Sequence, residues 1–163
     1  MVKVITFGNF KGGTGKTTNC SLIAYQLANK GYKTLLVDLD PQANATALYL
    51  RTKQRLTNEV VTFDKTLMSA IADNNLSDII INIKENLYLL PSFADFTSYP
   101  LFLEKMFPDS QLDRVTYFNE LLSEIKNDFD FVLIDIPPTL STYTDSALLA
   151  SDYTVIVLQT QER

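Results

Sequence analysis

Apolar residues along the chain fall into two rhythms. Residues 2–8, "VKVITFG", are almost continuously apolar and rich in β-branched residues. That run predicts a strand buried on both faces, stopping at Gly8. Residues 16–30, "KTTNCSLIAYQLANK", set Leu22, Ile23, Gln26, Leu27 and Lys30 at helical spacing, and Gly31 supplies the stop. A second strand reads "KTLLVDLD" and ends in two aspartates, Asp38 and Asp40. Strand, glycine-rich loop, helix and strand make a βαβ unit, whose strands run parallel through a right-handed crossover.

The same alternation continues. "ANATALYL" (43–50) predicts a short helix after Pro41, and "RTKQRLTNE" (51–59) reads as a polar stretch carrying Arg51, Lys53 and Arg55. "TLMSAIADN" predicts another short helix, and "NLYLLPS" a third strand closed by Pro91. Residues 92–110 read as irregular and aromatic, with a helix over 98–106. "LDRVTYFNELLSEIK" is an amphipathic helix, "FDFVLIDIPP" a fourth strand, "TYTDSALLAS" a helix, and "YTVIVLQ" (153–159) a fifth strand. Strands alternating with helices predict an α/β fold, a doubly wound, mostly parallel sheet flanked by helices. The pattern leaves the strand order open. No linker is visible, so residues 1–163 read as one domain. The chain stops soon after a core strand, where another crossover helix is expected. It therefore reads as the front part of a longer protein.

Composition narrows the chemistry. A single cysteine, Cys20, rules out an internal disulfide and fits a reducing, cytoplasmic setting, with Cys20 as a buried structural thiol. The absence of histidine removes Ser-His triads and His-ligated zinc. Proton chemistry falls to carboxylates, lysine, tyrosine or water. A net charge of −5 argues against coating DNA or an anionic membrane by bulk attraction. The apolar runs are too short for a signal peptide or a membrane span. These features predict a soluble protein.

The candidate chemistry is concentrated in "NFKGGTGKTT", residues 9–18. Gly12, Gly13 and Gly15, with Thr14 between them, lie at a strand-to-helix junction. There glycines let backbone N–H groups turn inward as an anion nest, and the helix adds its positive end. Lys16 is placed for the β and γ phosphates, the Thr17 hydroxyl for Mg²⁺, and Thr18 for the α phosphate. The usual first glycine of such a loop is replaced by Phe10, and an extra lysine, Lys11, precedes the glycine pair. Asp38 and Asp40 share a face at a strand end, where ligands of parallel sheets sit, and suit Mg²⁺ or water activation. Asp135 follows four apolar residues, as does the carboxylate that holds Mg²⁺ through water in P-loop NTPases.

These motifs carry a resemblance. "KGGTGKT" resembles the deviant Walker A motif of the ParA/MinD ATPases, K-G-G-x-G-K-[ST]. "DLDPQANAT" is similar to the segment after the second strand of ParA and Soj partition ATPases, "FVLIDIPPTL" to their Walker B strand, and "ENLYLLPS" to their middle strand. The resemblance implies an ATP-dependent dimeric switch that binds and slowly hydrolyses Mg-ATP to drive plasmid or chromosome partition. Lys11 would reach across the dimer to the partner's phosphates. Lys16 would bind the β and γ phosphates, and Thr17, Asp38 and Asp135 would serve Mg²⁺. Asp40 would position the attacking water. The implied partners are a second copy, a centromere-binding ParB-like adaptor, and non-specific DNA. DNA contacts of the family lie mostly in a C-terminal part, so they are expected of a longer parent chain, with nucleoid association there, rather than of 1–163.

Other readings stay open. One is a nucleotide- or partner-binding module that does not turn over. Another is a MinD-like positioning ATPase, which "DPQANAT" and the lack of a basic amphipathic tail disfavour, so no membrane partner is expected. A nitrogenase-reductase-like carrier needs cluster cysteines that one Cys20 does not supply.

Overall fold

The computed structural model describes residues 1–9 and 11–158. Among the described residues six strands form one sheet: β1 (Lys3–Gly8), β2 (Thr34–Asp38), β3 (Ile81–Lys84), β4 (Leu87–Leu90), β5 (Phe131–Asp135) and β6 (Tyr153–Ile156). Their order across the sheet is β3-β4-β2-β5-β1-β6. Every neighbouring pair is parallel except β3 with β4. The helices are α1 (Lys16–Asn29), α2 (Asn44–Thr57), α3 (Leu67–Ala72), α4 (Tyr99–Met106), α5 (Gln111–Ile125) and α6 (Thr142–Leu149). None is long and apolar enough to cross a membrane, among the described residues.

Side-chain alternation along the central strands divides the core into two layers. Leu36 and Leu133 pack with Phe7 against Cys20, Ala24 and Ala28 of α1 and against Ala45 and Tyr49 of α2. Leu35, Val37, Val132 and Ile134 face the other way. They pack against α3, α4, α5 and α6 through residues such as Ile71, Leu103, Phe118, Leu122 and Ala147. Both faces of β2 are covered, so all five of its residues are buried. This is why the strands read as continuous apolar runs and not as alternating ones.

The expected doubly wound α/β sheet is present, and the structure supplies the strand order. It also adds β3, which the apolar pattern does not reveal. "INIK" alternates Ile81 and Ile83 with Asn82 and Lys84, but it is only four residues long, too short a run to mark a strand by itself. β3 turns antiparallel onto β4 through Asn86, whose φ of 62° lies in the left-handed region that asparagine tolerates. The segment expected as a polar stretch, 51–59, is mostly helix, because α2 continues to Thr57 and stops at Asn58, φ 58°. Arg, Lys, Gln and Leu are good helix formers, and no glycine or proline interrupts them. The aromatic stretch packs into the core layer under α3, α4, α5 and α6. Phe96 and Tyr99 are core residues, and Phe107 meets Tyr117 edge-on at 5.4 Å. The expected fifth strand forms as β6, pairing with β1, and all four of its residues are exposed. Its predicted last residue, Gln159, lies outside the described residues, as do Phe10 and Arg163.

Leu133 sits at the centre of the sheet, fully buried between β1 and β2. Leu133→Ala is expected to cost about 2–5 kcal/mol through lost burial and a residual cavity. Chemical denaturation of the two proteins side by side checks this.

Candidate functional site

β1 lies between β5 and β6, yet its own crossover, α1, leads to β2 on the far side of β5. The crossover after β5, through α6, runs the opposite way to β6. Loops leaving the C-terminal ends of β1 and β5 therefore diverge, and a crevice opens where such sheets take their ligands.

The loop leaving β1 is shaped by two glycines that need left-handed backbone, Gly13 at φ 73° and Gly15 at φ 86°. Gly15 is the N-cap of α1 and has no capping side chain. The first N–H groups of the helix thus face the crevice without a local acceptor, as an anion site requires. Lys16, the first residue of α1, is 94% buried by exposed fraction, at 6% relative exposure. Its Nζ donates to the Lys11 carbonyl at 3.3 Å, as does Thr14 Oγ1 at the same length. The Lys11 N–H donates to Asn9 Oδ1 at 2.8 Å, which closes the loop base.

A cleft of about 510 Å³ opens over this loop. It is lined by Gly12, Gly13, Thr14, Gly15, Lys16, Thr17, Thr18 and Asp40, together with Gln42, Asn44, Ile136 and Pro138. Eight residues expected at the site thus share one wall. Lys11 is exposed at the loop entrance and is not part of that lining. A second cleft of about 530 Å³ lies beside β3. Of its two lysines, Lys65 is committed to Asp73 and Asp78 at 3.1 and 2.7 Å and Lys53 donates to the Asn82 carbonyl at 2.7 Å, and none of the loop residues lines it.

Asp38 and Asp135 lie in register at the ends of β2 and β5, both fully buried. Their surroundings differ. Asp38 Oδ1 accepts from the Asp40 N–H at 3.1 Å, and Oδ2 accepts from the N–H and hydroxyl of Thr46 at 2.8 and 2.7 Å. Burial lifts its carboxyl to about 6, against the opposing pull of these donors. Asp135 has no donor in bonding geometry at either oxygen, among the described residues. Burial lifts it further, to about 7; the Thr17 hydroxyl is near enough to ease the charge, Asp38 and Asp40 add repulsion, and Lys16 offsets part of it. Asp40, 8% exposed, accepts from the Gln42 N–H at 2.9 Å. Burial also pushes the Cys20 thiol well up, with Asp135 and Asp38 adding to the shift. A fully buried thiol held protonated is a structural one.

An orphaned buried carboxylate beside a threonine hydroxyl and a phosphate-type loop fits a hard divalent cation, which takes oxygen ligands and keeps several waters. The described residues hold no cluster of three or more carboxylate, thiol or imidazole groups for a metal. Sequence reasoning did not assign Gln42, Asn44, Thr46 or Ser92. The signal for the first three is the segment "DPQANAT" itself, in which only Asp40 carries an assigned role.

The parallel sheet, the glycine loop at the end of β1 and the acid at the end of β5 define a P-loop NTPase. A family model described as an AAA domain matches residues 2–163, and the chain belongs to that family, among the ParA/Soj-type ATPases. It is 35% identical over 159 residues to the chromosome-partitioning ATPase Soj of Treponema pallidum, covering 98% of this chain and 58% of that protein. It is similar to a plasmid partition protein of Borrelia burgdorferi bound to AMPPNP, with 28% identity and a TM-score of 0.76 over 96% of this chain and 62% of that one. It is also similar to cobyrinic acid a,c-diamide synthase of Mycobacterium smegmatis with a bound ATP analogue and magnesium. There the identity is 27% and the TM-score 0.81, over 97% of this chain and 59% of that one. The chain thus spans less than two thirds of each.

Both raised carboxyls bind their proton more tightly folded than unfolded. Between the ordinary value of 3.8 and the raised values of about 6 and 7, the native state keeps protons that the unfolded state has released. Stability therefore falls as pH rises through that window. The metal- and nucleotide-free chain should show a Tm that drops between about pH 4 and 7, with the drop reduced in Asp135→Asn. Thermal melts across pH test this; a slope identical in the two proteins contradicts it.

Proposed function

We propose that the chain binds Mg-ATP in the glycine-loop cleft and hydrolyses it slowly, as an ATP-dependent dimeric switch serving plasmid or chromosome partition. One observation carries the reading: the buried carboxylate of Asp135, without a donor, lies beside Thr17 and Lys16 under a nest of backbone N–H groups. Such a site is incomplete without a cation and an anion together.

In this reading the backbone from Gly12 to Gly15 and the start of α1 bind the phosphates, Lys16 neutralises the β and γ oxygens, and Thr18 meets the α phosphate. Thr17 and Asp135 would hold Mg²⁺, with Asp38 as a supporting group. When bound, the cation offsets charge that develops on the phosphoryl oxygens. Asp40, at the cleft wall, orients the attacking water. Lys11, which is exposed, reaches the phosphates of a second copy in this reading. Charge supplied only by a partner makes hydrolysis slow in the monomer and ties it to dimerisation. A centromere-binding ParB-like adaptor and non-specific DNA are the partners this role requires, the DNA contacts belonging to a longer parent chain.

The test is a titration with Mg-ATP beside Lys16→Ala and Asp40→Ala. Lys16→Ala should weaken binding about tenfold or more. Asp40→Ala should keep binding and lose about 10²-fold or more in turnover. Steady binding by Lys16→Ala, or unchanged turnover in Asp40→Ala, contradicts the assignment of that residue. Binding without turnover in the wild type would favour a nucleotide-dependent binding module.

A further inference from the structure

The first turn of α2 holds a buried contact set that none of these roles uses. Thr46 is 3% exposed. Its hydroxyl lies 2.7 Å from Asp38 Oδ2 and accepts from the Ser92 N–H at 2.9 Å. An amide N–H has no lone pair, so at Ser92 it must donate. The Thr46 hydroxyl proton is therefore free to point only at Asp38. Its direction follows from the chemistry of its two neighbours.

The Thr46 backbone N–H, third in α2, donates to the same Asp38 oxygen at 2.8 Å. The N-cap residue Ala43 has no capping side chain and sits at φ 54°. Asp38 thus caps α2 from a neighbouring strand, an N-terminal role for which a carboxylate is well suited. The other Asp38 oxygen receives the Asp40 N–H. One hydroxyl therefore joins the end of β2, two residues before the cleft-lining acid Asp40, to the start of α2 and to the exit of β4 at Ser92.

We propose that Thr46 is a positioning residue of the nucleotide site. Its hydroxyl orients Asp38, Asp38 fixes the backbone at Asp40, and the Ser92 N–H locks the hydroxyl in that role. The proposal rests on the reading that the cleft holds Mg-ATP and that Asp40 orients the water. It accounts for a feature that reading leaves aside, namely that Asp38 is engaged by protein donors where Asp135 is not.

The experiment compares the wild-type chain with Thr46→Val, Thr46→Ser, Asp38→Asn and the Thr46→Val/Asp38→Asn pair. Valine keeps the shape and removes the hydroxyl; serine keeps the hydroxyl. Amide exchange without nucleotide is read at Asp40 and Ser92. Mg-ATP affinity and turnover are read at a temperature where each variant is folded. Thr46→Val should speed exchange at both amides and lower kcat about tenfold, the scale of one lost bond to a charged group, with ATP affinity within about twofold. Thr46→Ser should restore both readouts. Adding Thr46→Val to Asp38→Asn should cost little more, because one residue acts through the other. If the valine variant does not fold, Thr46→Ala is read in its place.

Unchanged exchange and kcat in the hydroxyl-free variant overturn the proposal. So does a serine variant that fails as the valine does, or additive losses in the pair. A wild-type chain that binds Mg-ATP beside an unaffected Thr46→Val overturns this proposal alone. A wild-type chain that binds no Mg-ATP overturns the nucleotide reading, and this proposal with it.

Discussion

Two carboxylates side by side in an apolar interior set the terms for the rest of this structure. Asp38 and Asp135 are cross-strand neighbours, and both are fully buried. Removing such groups from water costs several kcal/mol each unless they are neutralised or bonded. The chain handles the two differently. Asp38 is met by three protein donors from Asp40 and Thr46. Asp135 is left without one and faces Thr17 and Lys16. That asymmetry separates a carboxylate built into the scaffold from one whose oxygens no described donor meets in bonding geometry.

Sheet parity explains how both acids reach the same place. Asp38 lies two residues beyond Leu36, and Asp135 two beyond Leu133. Successive even steps along a strand keep to one face. Leu36 and Leu133 both pack under α1, so the acids face the α1 layer too, the same layer that carries Lys16 and Thr17. The effect of both acids on the Cys20 thiol of α1 agrees with that placement. Parallel pairing in register then sets the two carboxylates level. The glycine loop reaches them because α1 begins directly above the end of β1. The site follows from strand register and helix onset more than from any single motif.

Much of this is legible in the linear chain, and the parts that are not have physical causes. Continuous apolar runs at 35–37 and 131–134 reveal buried strands because both faces are covered. "KGGTGKT" reveals the loop because left-handed turns leave glycine as their mark, and Gly13 and Gly15 do occupy that region. β3 escapes because its alternation of Ile81 and Ile83 with Asn82 and Lys84 lasts only four residues. The second half of α2 escapes because helix propensity, not an apolar stripe, carries it there. Thr46 escapes for a different reason. A threonine in a helical pattern says nothing about a strand residue eight positions earlier or a backbone N–H forty-six positions later. Its importance exists only once β2, α2 and β4 are brought together.

The start of α2 also breaks local rules, and the way it does so ties the helix to the site. Ala43 adopts a left-handed conformation that costs an alanine roughly 1–2 kcal/mol. It offers no side chain to cap the helix it precedes. A helix starting this way is poorly supported by its own sequence. Support comes instead from Asp38, which takes the third N–H of the helix, and from the Asp40 carbonyl, which accepts from the Ala43 N–H at 2.8 Å. Strain of this kind persists where surrounding contacts over-determine the backbone, and it gathers at functional sites. Here those contacts are the two acids of "DLDPQ". The same carboxylate oxygen that starts α2 is held by the hydroxyl bonded to Ser92, so the onset of the helix, the acid beside the cleft and the exit of β4 share one set of bonds. A change at any one of them has to be felt at the other two.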